Sequence, residues 1–204
     1  MADRTDIFIT GVGGQGSLSA SRFLGEAAVK ADLKVLVGEI HGMAQRGGIV
    51  ESTVRIGDVH GPIIPDGQAD VLLGFEPVET LRAMAKASPK TLIITNTHPI
   101  VPATVSMKGD SYPEAEDVLE KIRAISPKVI ALDATEMAGR AGNTQALNAV
   151  LLGVLAGTGV LPFKADLLRE VLMAGVPQKA IDVNEKAFAM GFEVGADAAC
   201  AEPA

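Results

Sequence analysis

Two glycine-rich stretches hold most of the residues whose types and spacing could serve chemistry. The first runs from Gly11 to Gly16 (GVGGQG), between an apolar run typical of a strand (6–10) and a stretch typical of a helix (17–30). A Gly-x-Gly-x-x-Gly turn at such a junction brings backbone close to a ligand and directs helix amides at it, which favours an anion. Glu39 follows about 20 residues on, where a dinucleotide site has its ribose-binding acid.

The second stretch, from Glu39 to Gly48 (EIHGMAQRGG), joins an acid, an imidazole, an amide and a guanidinium with three glycines. It lies past the carboxyl end of a predicted strand, 34–38, where open α/β sheets bind ligands. Arg46 precedes two glycines and can present its planar fork to a carboxylate or a phosphate. The residues predicted to contact a ligand or a partner chain are Gly11, Gly13, Gly14, Gln15, Gly16, Glu39, His41, Gln45, Arg46, Gly47 and Gly48.

Each motif also has a purely structural interpretation. Many α/β folds use glycines at the first turn only to pack the first helix on the first strand. The amide of Gln15 could bond a ligand or a neighbouring subunit, or it could cap its own turn. The 39–48 stretch could be a solvated surface loop, because polar, glycine-rich loops are common on surfaces. Asp133 could touch a ligand at the edge of the sheet or cap the next helix.

Composition narrows the classes of partner and compartment. The 204 residues are compatible with one domain, 1–204, whose core must be aliphatic because hydrophobic residues make up 48% and aromatic residues 3%. The net charge is −7 and no Lys/Arg cluster is present, so nucleic acid is not expected as a partner. With no signal-peptide pattern and a longest apolar stretch of 149–156, a cytoplasmic chain without membrane contact is expected.

Metal-ligating residues are scarce. The chain has one cysteine, Cys200, which cannot form an intramolecular disulfide or hold an iron–sulfur cluster or a structural zinc. The three histidines, His41, His60 and His98, show no ligand spacing. We therefore expect the chain to bind no metal of its own.

Short β-branched runs alternate with helical patterns, which is typical of a mainly parallel sheet with helices on both faces. The sequence predicts a three-layer, Rossmann-like α/β fold with an inserted β-hairpin and a helical C-terminal part. Strands are predicted at 6–10, 34–38, 50–56, 59–64, 70–75, 91–95 and 128–133. Helices are predicted at 15–30, 77–87, 113–125, from 143 to near 157, at 164–174 and at 178–192.

Four details of this prediction can be tested individually. The inserted hairpin consists of strands 50–56 and 59–64 around a turn at Gly57-Asp58. The first helix is expected to bury a stripe of Leu18, Leu24 and Ala28. Segment 96–112 is expected to be a long excursion beside the sheet, with an edge strand near 103–107. The tail after Gly195 is expected to fray.

Taken together, the two motifs resemble the gamma-type subunits of the 2-oxoacid:ferredoxin oxidoreductases, and within them the small (beta) subunits of the indolepyruvate branch. The hairpin region, the run from Ala69 to Pro77 (ADVLLGFEP) and the helix containing Asn148 to Gly153 match the same family. The similarity covers residues 5–195. It implies a three-layer α/β subunit of an oxidoreductase that acts on the oxo group of its donor with an iron–sulfur protein as acceptor.

The resemblance also implies partners and cofactors. A larger subunit would carry thiamine diphosphate and the iron–sulfur clusters, oxidatively decarboxylate indolepyruvate or another arylpyruvate to an acyl-CoA, and pass electrons to ferredoxin. The present chain would be inactive alone and could form a homo-oligomer when isolated. Two other functions stay open: a stand-alone NAD(P)-binding dehydrogenase domain that uses Gly11, Gly13, Gly16 and Glu39, and a ligand-free assembly subunit.

Overall fold

The computed structural model describes residues 4–41, 48–101 and 112–201, with only the backbone of residue 41. Within these residues a six-stranded sheet has the order β2-β3-β1-β4-β5-β6. The strands are β1 (Thr5–Val12), β2 (Val35–His41), β3 (Ile49–Ile56), β4 (Val71–Gly74), β5 (Leu92–Asn96) and β6 (Val129–Leu132). The pairs β1–β4, β4–β5 and β5–β6 are parallel, whereas β3 is antiparallel to both β1 and β2. Five strands therefore share one direction, and β3 runs against them.

Helices cover both faces of this sheet. They are α1 (Ser17–Lys30), α2 (Pro77–Arg82), α3 (Ala115–Arg123), α4 (Ala134–Ala141), α5 (Leu147–Gly157), α6 (Ala165–Gly175) and α7 (Ile181–Ala201). Single 3₁₀ turns extend α2 at Ala83–Lys86 and precede α5 and α7 at Thr144–Ala146 and Gln178–Ala180. The larger apolar core joins one face of the sheet to α1, α4, α5, α6 and α7, and the smaller core joins the other face to α2 and α3. The fold is the predicted three-layer α/β arrangement.

The closest helix packing is between α5 and α7, and it depends on glycine. A Cβ built on Gly153 would lie 2.2 Å from the Phe188 carbonyl oxygen, and one on Gly191 would lie 2.1 Å from the Val150 carbonyl oxygen. Both distances are far below a van der Waals contact, so a side chain at either position would push the helices apart. The helical C-terminal part therefore packs on the sheet as a tight pair.

The predicted strand at 59–64 is wrong, and the antiparallel hairpin consists of β2 and β3 instead. Both edges of β3 are already paired, so no edge remains for a returning strand. Pro62 also lacks the N–H that a ladder requires. Side chains of β3 satisfy the carbonyl groups of 61–63: Arg55 Nη1 donates to Gly61 and Ile63 (2.8 Å each), and Thr53 Oγ1 donates to Pro62 (2.7 Å).

Two smaller expectations are also wrong. Leu18 is 37% exposed, and the buried stripe of α1 contains Phe23, Leu24 and Ala28 instead, because α1 faces the sheet and α6. The described part of the tail after Gly195 does not fray, since α7 continues to Ala201 and Gly195 itself packs against α5. Alanine, which is frequent in this stretch, has the best helix propensity. The predicted edge strand at 103–107 lies outside the described residues.

Candidate functional site

The glycine turn lies at the carboxyl end of β1, against the beginning of α5. Gly14 and Gly16 have φ of 106° and 89°, in the left-handed region where a Cβ is unfavourable. Gly11 lies against Phe75, the residue after β4, and a Cβ built on Gly11 would lie 2.7 Å from the Phe75 Cβ. Asn148 packs against Gly16. Backbone conformation at Gly14 and Gly16, and the close approach of Phe75 to Gly11, therefore favour glycine at these three positions.

The Gln15 side chain uses both ends of its amide within the chain. Its Oε1 accepts from the Val12 backbone N–H (2.7 Å), and its Nε2 donates to the Phe75 carbonyl (2.7 Å). Of the three alternatives for this residue, the structure supports the cap of its own turn.

The first turn of α1 has no side-chain partner for its amides within the described residues. Gly16 is its N-cap residue, and this turn has neither a capping side chain nor an acidic residue. The Gly13 N–H donates to the Gly48 carbonyl (2.8 Å), which ties the two glycine-rich stretches together. The partial positive charge of the helix start is thus left without a counter-charge from α1's own first turn, a setting that suits an anion or a carbonyl of another molecule.

A hydrogen-bond network that the sequence analysis missed crosses the sheet here; we call it the carboxyl-end network (Gln15, Phe75, Glu76 and Asn96). The Phe75 carbonyl accepts from Gln15 and also from Asn96 Nδ2 (3.0 Å). Asn96 Oδ1 in turn accepts from the Ala134 N–H (3.0 Å), at the start of α4. One polar chain therefore fixes the relative positions of the strand ends. Asn96 directly follows predicted strand 91–95, and its position there was the available signal.

Glu76 joins this network through Thr80, whose Oγ1 donates to the Glu76 carbonyl (2.7 Å) and bonds the hydroxyl of Thr95, the neighbour of Asn96 (2.8 Å). The Glu76 side chain is fully buried, and its Oε2 accepts from the Glu79 N–H (2.9 Å) as the N-cap of α2. Its Oε1 accepts from the Ile100 N–H (3.4 Å) and from the Tyr112 hydroxyl. Burial and the bond to Glu76 raise the pKa of Tyr112. The Glu76 carboxylate thus bonds residues on both sides of segment 102–111, Ile100 before it and Tyr112 after it. The sequence signal was the following Pro77, a residue favoured at the first helical position.

Two side-chain oxygens near Glu76 lack a hydrogen-bond partner in the part of the chain that the structure describes. They are Thr10 Oγ1 and Glu79 Oε2, and both are buried. Burial raises the pKa of Glu79, a shift that the charge of Arg82 opposes and that of Glu76 increases. Arg82 bonds the other oxygen of Glu79 at 2.6 Å. A buried acceptor without a donor is unfavourable, so this position suits a proton or an added donor.

Glu39 is not placed as a ribose-binding acid would be. It lies on β2, and β3 separates β2 from the glycine turn on β1. In a dinucleotide fold the strand that carries the acid neighbours the first strand directly. Here the strand that carries Glu39 lies two strand spacings from β1, about 10 Å. The described contact of Glu39 is a long bond from Ser21 Oγ (3.4 Å). This geometry does not support the NAD(P) alternative.

The remaining predicted residues divide into two groups. Gly48 is described and meets Gly13, whereas for His41 only the backbone, at the end of β2, is described. Gln45, Arg46 and Gly47 lie outside the described residues, so their ligand or partner role stays a prediction.

Comparison with known proteins identifies the family. Residues 6–194 match the family model described as pyruvate ferredoxin/flavodoxin oxidoreductase. The chain belongs to this family. It is 47% identical to the indolepyruvate oxidoreductase subunit IorB of Pyrococcus horikoshii, over 92% of this chain and 94% of that relative. It is 42% identical to the IorB subunit of Archaeoglobus fulgidus, over 93% and 94% of the two chains.

Two solved structures share the fold. The pyruvate oxidoreductase subunit PORC of Thermotoga maritima superposes with a TM-score of 0.67 at 24% identity, covering 93% of this chain and 96% of that one. A 2-oxoglutarate:ferredoxin oxidoreductase from Magnetococcus marinus superposes with a TM-score of 0.69 at 21% identity. That match covers 98% of this chain and 32% of the longer one. The α/β fold predicted from the sequence is confirmed.

Asp133, which the sequence placed either at a ligand or at a helix cap, is the N-cap residue of α4. Its Oδ1 accepts from the Glu136 N–H (2.7 Å), as a helix cap does. Its Oδ2 lies 3.6 Å from Nδ1 of the half-exposed His98. In residues 4–41, 48–101 and 112–201 no group of three or more His, Cys, Asp and Glu side chains could hold a metal ion. No helix in those ranges is long and apolar enough to cross a membrane.

Proposed function

We propose that this chain is the small, accessory subunit of an indolepyruvate ferredoxin oxidoreductase. The observation that carries the proposal is the 47% and 42% identity to archaeal IorB subunits over almost the full length of both chains. The reaction assigned to the assembled enzyme is the oxidative decarboxylation of indolepyruvate or another arylpyruvate to an acyl-CoA, with ferredoxin as the electron acceptor.

The residues of this chain support an accessory role. Its single cysteine, Cys200, is exposed at the end of α7, and one thiolate cannot hold an iron–sulfur cluster. We assign thiamine diphosphate, the clusters and the main CoA contacts to a larger partner subunit. The bound 2-oxoglutarate, coenzyme A and succinyl-CoA in the Magnetococcus marinus enzyme indicate the kind of ligands that such an assembly binds.

The surface assigned to the partner or its ligands is the carboxyl end of the sheet. Gly14 projects into open space there, and the adjoining first turn of α1 offers its amides. The stretch from Glu39 to Gly48, which contains Arg46, connects the end of β2 to the start of β3. It is bonded to the glycine turn through Gly48. The carboxyl-end network holds this surface rigid from below. Rigid donors at a developing or permanent negative charge are effective because they need no reorganisation.

A binding experiment separates this proposal from its alternatives. The tagged chain is co-expressed with the large thiamine and iron–sulfur subunit encoded in the same organism, and the purified chain alone is titrated with NADH. Co-purification without NADH binding supports the proposal. Saturable NADH binding by the chain alone would favour the dehydrogenase alternative and contradict it.

The third alternative, a ligand-free assembly subunit, also predicts co-purification, so a further measurement is needed. Ligand contact predicts that substrate or CoA protects the surface from Gly11 to Gly16 against hydrogen exchange in the complex, beyond the protection given by assembly. Equal exchange with and without these ligands would favour the assembly subunit.

A further inference from the structure

Strand β2, which forms one edge of the sheet, and helix α1 enclose a groove that is open to solvent. The groove has a volume of about 540 Å³ and is lined by aliphatic side chains between charged residues. Val29 on α1 is 64% exposed and Val37 on β2 is 41% exposed. None of residues 35–40 is buried. Apolar side chains beside the unpaired edge of a strand are typical of a surface that another chain covers.

The outer edge of β2 presents backbone N–H and C=O groups that can pair with another strand. The Gly57 N–H donates to the Lys34 carbonyl (2.9 Å), which fixes the alternation of the β2–β3 ladder. In an antiparallel pair, alternate residues bond the neighbouring strand and the others point away. The N–H and C=O groups of Val35, Val37 and Glu39 therefore point away from the sheet. Within the described residues no other strand lies beyond β2.

We propose that β2 is a homodimer surface, on which a second copy of this chain pairs its own β2 in antiparallel orientation. A two-fold axis through Val37, perpendicular to the sheet, places each Val35 opposite the partner's Glu39. The three outward residues of each copy then form about six backbone hydrogen bonds. The two sheets become one, and both α1 helices lie on the same face, where their grooves merge. Such a self-complementary contact is the commonest kind in soluble dimers.

The charges on the rim of the groove favour a copy over an unrelated strand. Helix α1 runs antiparallel to β2, since Ser21 contacts Glu39 whereas Gly25 lies against Val37. Lys30, at the end of α1, consequently lies at the Val35 end of the groove. The two-fold axis brings the partner's Glu39 to that end, so that each exposed Lys30 meets an exposed carboxylate. The pairing occurs twice, which gives the orientation its specificity.

A charge exchange tests this arrangement in the full-length isolated chain. Sedimentation velocity over a wide range of concentrations should show a reversible dimer. Lys30→Glu and Glu39→Lys should each weaken dimerisation about tenfold or more, because both symmetric contacts change from attraction to repulsion. The double variant Lys30→Glu/Glu39→Lys should restore the wild-type dissociation constant. Lys186→Glu, exposed on α7, gives the same charge change as Lys30→Glu away from β2 and should have no effect.

A second variant tests the backbone pairing. Val37→Pro removes an outward N–H and leaves the β2–β3 ladder intact, as proline does on edge strands. The chain should become monomeric with an unchanged circular dichroism spectrum. If this variant does not fold, the charge exchange alone decides.

A wild-type chain that stays monomeric overturns the proposal, even if the larger subunit proves to bind the same edge. So does a dimer that survives either folded Val37→Pro or the single charge reversals, or that the double variant fails to restore. The proposal is independent of the proposed function, since a dimer can form whether or not the chain serves an oxidoreductase.

Discussion

Two glutamates at the ends of apolar runs, Glu39 and Glu76, have opposite surroundings. Glu39 lies on the outer strand, exposed, with a described contact of 3.4 Å to Ser21. Glu76 is completely buried and accepts from two backbone N–H groups and a phenol. Motif spacing emphasised Glu39, whereas the fold depends on Glu76.

The difference arises from strand order. A spacing rule assumes that consecutive strands are neighbours, but antiparallel β3 inserts between β1 and β2 and moves Glu39 to the edge of the sheet. Glu76 follows β4, which is a direct neighbour of β1, and so lies at the centre. The edge strand β2 is exposed to other molecules, and the carboxyl-end network supports the centre of the sheet. Substitutions in the two regions should therefore have different effects.

Replacement of Glu76 should have the largest effect on stability. Glu76→Ala removes the cap of α2 and leaves buried donors without an acceptor, so the free energy of unfolding should fall by about 2–4 kcal/mol. Glu39→Ala, the matched control on the exposed strand, should change it by less than about 0.5 kcal/mol. Urea unfolding of the isolated chain, at concentrations where it is monomeric, measures both values. Equal effects of the two variants would refute this difference between the two regions.

Replacement of Arg46 should lower activity without lowering stability. If its fork binds an anion in the assembled enzyme, Arg46→Ala and Arg46→Lys should reduce kcat/KM by similar factors of about ten to a hundred. A pull-down with the larger subunit shows whether the anion belongs to that subunit or to a ligand. Assembly should weaken only if the larger subunit supplies the anion. Full activity and normal assembly of Arg46→Ala would make the loop solvated surface.

Replacement of Gln15 should destabilise moderately. Gln15→Ala leaves the Val12 N–H without its acceptor, and a loss of about 1–2 kcal/mol is expected. Because the Phe75 carbonyl keeps its bond from Asn96, the loss should be smaller than that for Glu76→Ala. Thermal and urea unfolding can establish this order. A fully stable variant with impaired activity would instead assign Gln15 to a ligand or a partner.

The smallest effect concerns the pH dependence of stability. Because the pKa of Glu79 is raised, the folded chain binds this proton more tightly than the unfolded chain does. Its contribution to stability is therefore full below the usual value of 4.5 and is lost as pH rises through the folded pKa. Glu79→Gln should flatten this part of the curve of unfolding free energy against pH. An unchanged curve would show that Arg82 compensates the charge completely.

Local patterns were enough to predict the fold class and most elements. Apolar runs with period two or 3.6 marked the six strands of the described sheet and its main helices. Pairing depends on contacts distant in sequence, so the position of β3 could not be read from spacing, and 59–64 was mistaken for a strand. The bond between Tyr112 and Glu76 joins residues 36 apart, and no local pattern predicts it.

Reconstitution of activity tests the central claim most directly. The chain, the larger subunit and their mixture are each assayed for ferredoxin reduction with indolepyruvate, thiamine diphosphate and CoA. We expect this chain alone to be inert and the mixture to turn over indolepyruvate with a higher kcat/KM than pyruvate or 2-oxoglutarate. Turnover by this chain alone, or a large subunit whose activity is the same with and without it, would contradict the account.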